Sequence, residues 1–136
     1  MTHLLIACAL LTFLGPLQGI VKDASVEEIK IGFIVMLDGA DRISGTAFCK
    51  TGKTCRLIEQ ESPKLIIDLK ANRFYSEIEI DCEDDCSLQS GRRTMIIKNT
   101  EELYIYNGET GTLMDSVFRR REPIGNIMLS FPYPPR

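Results

Sequence analysis

Residues 47–54, AFCKTGKT, fit the pattern of a phosphate-binding loop if Ala47 is allowed at its first position, because Gly52-Lys53-Thr54 closes it. Downstream, Leu65-Ile66-Ile67-Asp68 stands where such a site would carry its magnesium-holding strand. The chemistry, however, needs a helix whose first-turn N–H groups point at the phosphates. Pro63 allows at most two helical turns after Thr54. The stretch 50–54 therefore reads as a polar hairpin turn, with Gly52 supplying the positive φ.

A second group with chemical potential is acidic. Glu77, Glu79, Asp81, Glu83, Asp84 and Asp85 place six carboxylates within nine residues. Alternation along a strand puts the first three on one face, about 7 Å apart, and the other three crowd into a loop tip. Such a cluster repels itself unless it is solvated or neutralised, which points to a basic partner or a calcium ion. The calcium candidates are Asp81, Glu83, Asp84 and Asp85. They do not make an EF-hand, since Cys86 stands where that loop needs Gly and Arg92 where it needs a bidentate Glu. Carboxylate pairs also cleave glycosidic bonds when one of them is desolvated in a cleft. An outward strand face and a loop tip do not supply that environment.

The basic and aromatic features are Arg119-Arg120-Arg121 and the pair Tyr104 and Tyr106 on one strand face, a weaker candidate contact surface. The net charge of −3 and pI of about 5.2 speak against nucleic acid, as no base-stacking motif accompanies the arginines.

The most restrictive fact is an absence. His3 is the only histidine, and it lies in a segment that reads as a signal peptide, residues 1–19. Residues 4–14 (LLIACALLTFL) are an apolar run too short for a membrane helix, which takes roughly 20 residues, but suited to the core of a secretory signal. Cleavage is expected after Gly19, discarding Cys8. The alternative, lipidation at Cys8, would leave most of the apolar run after the cysteine. The mature chain then has no imidazole for a nucleophile pair, a general base or a metal. No catalytic residue and no cofactor are expected.

Four cysteines remain: Cys49, Cys55, Cys82 and Cys86. In a short exported chain they read as two disulfides, and the local pairs are the simplest of three connectivities. A four-thiolate zinc site is the rival reading, against which the spacings and the exported context both count.

The elements that must position these groups alternate with period two, the mark of half-buried strands. Strands are expected at 29–37, 42–48, 55–60, 64–70, 74–81, 94–98, 103–106 and 112–118. A short helical turn is expected near Ser25 to Glu28. Tight turns join the strands, so the fold class is all-β: a small antiparallel meander of about eight strands, a barrel or a two-layer sandwich stapled by two disulfides. The single domain spans 20–122, and 123–136 form a Pro-rich tail or a last edge strand.

No motif set is specific enough to name a family. The expected function is that of an exported, periplasmic or secreted, non-catalytic protein that binds a macromolecular partner through its acidic face and loops. An inhibitor of a basic enzyme such as a lysozyme is one concrete form. A calcium- or small-ligand-binding β-barrel is the alternative, and a carboxylate-only hydrolase the third.

Overall fold

The computed structural model describes residues 19, 26–98, 102–109 and 121–132. The expected signal peptide (Gly19 apart), the strand expected at 112–118, Ser25, Arg119 and Arg120 lie outside these residues. Of the helical turn expected near Ser25, the described part is not helical: Glu28 already opens the first strand.

The chain is all-β, with no helix among the described residues. Among the described residues nine strands follow one another: β1 (Glu28–Leu37), β2 (Ile43–Lys50), β3 (Thr54–Glu61), β4 (Lys64–Lys70), β5 (Tyr75–Cys82), β6 (Cys86–Ser87), β7 (Thr94–Lys98), β8 (Glu102–Asn107) and β9 (Pro123–Ser130). They form two antiparallel sheets, β2-β1-β9-β8-β6 and β3-β4-β5-β7.

Period-two alternation is the cause. In β4, Leu65, Ile67 and Leu69 are buried while Lys64 and Lys70 are exposed. In β5, Ser76, Ile78 and Ile80 turn in, and Tyr75, Glu77 and Glu79 turn out. Ile29, Ile31 and Val35 of β1, Leu103 and Ile105 of β8, and Ile127 and Leu129 of β9 complete one core shared by both sheets. Each such Leu or Ile contributes roughly 1.5–3 kcal/mol by leaving water, so the core rather than any polar contact holds the shell together.

The expected antiparallel all-β fold is observed, with the chain passing between two sheets, and each disulfide sits at one of these changes. Cys49 of β2 bonds Cys55 of β3, and Cys82 of β5 bonds Cys86 of β6. In each pair the two cysteines belong to different sheets. The turn around Gly52, whose φ is +75°, is therefore a corner and not the tip of a paired hairpin. The reason lies in side-chain direction: Cys49 is buried on the inner face of its sheet and Cys55 half-buried on that of the other, so the bond joins layers. The strand after this turn is β3, which leaves no helix to complete a phosphate loop.

A second correction concerns the segment read as a tail or edge. β9 starts at Pro123 and lies between β1 and β8, in the middle of its sheet. Gly125 allows this. A methyl group there would collide with the Met36 carbonyl oxygen and come within 2.8 Å of Leu37 Cδ2. Pro123 costs no interior hydrogen bond because it opens the strand, beside a register shift between Ile105 and Tyr106.

Candidate functional site

β5 runs between β4 and β7, so its outward residues meet the outward residues of both. Glu77 stands opposite Lys70 and Ile96, Glu79 opposite Asp68 and Thr94, and Asp81 opposite Ile66. The six acids named from the sequence then separate into two groups by what neutralises them.

Asp81 and Asp85 are paired within the protein. Lys64 Nζ lies 2.8 Å from Asp81 Oδ2, and Arg93 Nη1 lies 3.4 Å from Asp81 Oδ1. Arg93 also reaches Asp85 through Nη2 and Glu109 through Nε, both at 2.5 Å. One guanidinium thus holds three carboxylates from β5, the β5–β6 tip and the segment just after β8. The hydrogen bond from Lys64 holds the Asp81 carboxyl below its usual range, with both cations adding attraction. Arg93 is shifted upward, first by its hydrogen bond to Glu109. A backbone contact sets the geometry: Ile80 N–H donates to the Arg93 carbonyl at 2.9 Å, which brings Arg93 beside Asp81.

Asp68 is likewise engaged. Arg56 Nε and Nη2 donate to its two oxygens at 2.9 and 3.2 Å, a bidentate fork, and Arg56 also pairs with Glu59. These carboxylates push the Arg56 pKa further up.

Glu77, Glu79, Glu83 and Asp84 form the other group. All four are exposed and none has an ion pair among the described residues. Asp85 holds the tip in a left-handed turn, with φ of 41°, as the chain bends from Cys82 to Cys86. Among the described residues no three His, Cys, Asp or Glu side chains come together as a metal-holding group.

The basic and aromatic candidates divide as well. Arg121 Nη2 donates to Ser87 Oγ at 2.6 Å, to the Gly108 carbonyl at 2.9 Å and to the Asn107 carbonyl at 3.1 Å. Its guanidinium carbon lies 4.7 Å from the centre of the Tyr106 ring. Ser87, fully buried, donates its hydroxyl hydrogen bond to the Gly108 carbonyl at 2.6 Å. Arg121 is therefore a clamp between β6, β8 and the approach to β9, with its donors directed inward. Tyr104 is exposed at the surface and Tyr106 half-buried under that clamp. The negative charge of Glu102 pushes the Tyr104 phenol pKa up.

The sequence reading gave no role to Arg93, Lys64 or Gln89. Gln89 covers β8 where the two-residue β6 ends: its Oε1 accepts from Tyr104 N–H at 2.9 Å, and its Nε2 donates to the Glu102 carbonyl at 3.4 Å. A signal for Arg93 was present, since six acids within nine residues call for cations and Arg92-Arg93 is the nearest basic pair in the chain.

Two disulfides in a small β domain are compatible with an extracellular or periplasmic location. No helix of the described residues is long and apolar enough to cross a membrane. No family model, no curated protein and no solved structure matches this chain.

Proposed function

We propose that this is an exported binding protein that engages a basic macromolecular partner through Glu77 and Glu79 on the outer face of β5 and Glu83 and Asp84 at the tip. The observation that carries the reading is the division among the acids. Asp81, Asp85 and Asp68 are neutralised internally, whereas these four carboxylates stand exposed without a counter-ion among the described residues. They are mounted on a rigid strand and a disulfide-closed turn, so little ordering entropy opposes binding. Charges so placed steer a basic partner, accelerating association more than they deepen affinity.

Titration of a purified basic secreted enzyme such as a lysozyme onto the immobilised chain tests this. The expected result is binding whose association rate falls steeply between about 50 and 500 mM salt. Glu77→Gln/Glu79→Gln/Glu83→Gln/Asp84→Asn is expected to remove most of that salt dependence. Binding indifferent to both changes refutes the assignment of this face. Heat released with calcium alone, abolished by Asp84→Asn, would move the site to an ion instead.

A further inference from the structure

The end of the domain opposite the acidic tip has the reverse character. β2 ends and β3 begins there, β4 runs into β5, and β7 ends. These segments are brought together by the backbone. Gly52 N–H donates to the Ala71 carbonyl at 2.9 Å, and Thr51 N–H donates to the Glu27 carbonyl at 2.9 Å. Lys98 stands directly opposite Tyr75, and Lys70 directly opposite Thr54.

Lys50, Lys53, Lys70 and Lys98 are exposed at this end, and none has an ion pair among the described residues. Arg73, also exposed, lies in the β4–β5 loop nearby. The acids nearby are Glu27, Glu28 opposite Lys50, and Glu77 opposite Lys70. Among these cations two aromatic rings face the solvent: Phe74, 63% exposed, and Tyr75, 57% exposed. A phenylalanine has no polar atom to reward exposure in water, and this one sits in the loop joining β4 to β5 rather than on a packed face.

We propose that this end is a docking surface for a bilayer carrying anionic headgroups. Phe74 enters the interfacial layer, Tyr75 lies at headgroup depth with its hydroxyl in water, and the lysines lie over the lipid phosphates. A bilayer fits better than a soluble polyanion because the ring is presented at the outer end of the shell. A projecting ring can enter a deformable interface, whereas a strand of nucleic acid is normally tracked along a groove.

Flotation of the full chain with lipid vesicles tests the proposal, comparing pure phosphatidylcholine with vesicles holding about 30% phosphatidylglycerol. The expected result is at least tenfold stronger partitioning onto the anionic vesicles at 50 mM NaCl, falling steeply by 500 mM. Each lysine close to such a surface multiplies the partition coefficient about fivefold, so Lys53→Gln/Lys98→Gln should lose about 25-fold. Phe74→Ser, which removes no charge, should lose about tenfold. All variants share the apolar run at 4–14, so its own affinity for lipid cancels in these ratios. The substituted side chains are exposed, and far-UV circular dichroism confirms that the sheets persist. Equal partitioning onto neutral and anionic vesicles overturns the proposal, as does unchanged binding by folded variants. Tighter binding to a DNA duplex than to vesicles, lost in the same variants, also overturns it and gives this end to a soluble polyanion.

Discussion

Replacing Cys49 and Cys55 together by Ala, and Cys82 and Cys86 likewise, removes the two covalent links between the sheets one at a time. The loops they close are short, with sequence separations of 6 and 4. In the chain-entropy model these lengths correspond to about 2.2 and about 1.9 kcal/mol at 25 °C. Ala is the right replacement because Cys49 and Cys86 are buried, and Ser would leave an unpaired hydroxyl there. The bridges lie at opposite ends of the shell, so their effects should add to about 4 kcal/mol, a large share of the 5–15 kcal/mol typical of a domain. Urea unfolding followed by far-UV circular dichroism suits a chain with no Trp. The midpoint should fall stepwise, and the slope should rise as the unfolded ensemble loses its cross-links. Trypsin cutting at Lys64 and Lys70 without reductant should release the two bridges on separate fragments. A loss below about 0.5 kcal/mol for each pair refutes the entropic account, and a single fragment holding all four cysteines refutes the pairing.

Three further outcomes follow from local geometry. Gly125→Ala drives a methyl group into the Met36 carbonyl and Leu37; the expected cost is about 3 kcal/mol, a fall of roughly 10 °C or more in Tm, and a Tm unchanged within about 2 °C refutes the packing of β9 on β1. Asp81 is held below the ordinary carboxylate range, first by Lys64, so its contribution to stability is present above about pH 4 and lost as acid carries the pH down through its folded value. Lys64→Met should raise the Asp81 titration midpoint seen by NMR and flatten the acid loss of stability; an unmoved midpoint counts against the ion pair. Tyr104 is pushed up first by the charge of Glu102, so Glu102→Gln should bring its alkaline titration down as followed by NMR; an unmoved midpoint counts against that contact.

Strand existence was written plainly in the side chains. Lys64–Lys70 and Thr94–Lys98 are expected and observed with the same limits, because each is a short apolar run rich in Ile and bounded by polar or charged residues. Sheet membership was not legible. Nothing local to Cys49 or Cys82 says that the next strand joins the other layer; that depends on where the inward faces meet after folding. The central place of β9 was hidden for a related reason. A last strand from Asn126 was expected only as an edge; Pro123 and Gly125 read as loop residues, and only contact with Met36 and Leu37, nearly ninety positions away in the chain, makes a glycine necessary. The acidic cluster was legible as composition but not as chemistry. Which carboxylates are neutralised depends on Arg93 being carried beside Asp81 by backbone pairing, and on Lys64 standing across from β5 at the far end of β4.

The acidic tip at Glu83 and Asp84 and the basic end should act independently, and the length of β5 says how far. From Tyr75 at the basic end to Cys82 at the acidic tip the strand holds 8 residues, roughly 25 Å. At physiological ionic strength the screening length is about 8 Å, so charges at one end are felt at the other through about three screening lengths. Neutralising Glu83 and Asp84 should therefore change partitioning onto anionic vesicles by less than about 1.5-fold at 0.15 M salt. At 0.01 M the screening length grows to about 30 Å, and the same change should then strengthen vesicle binding measurably, since the repelled acidic tip has become less negative. A severalfold effect already at 0.15 M would show that both ends meet the membrane together, which a domain docked end-on, with β5 along the membrane normal, cannot do.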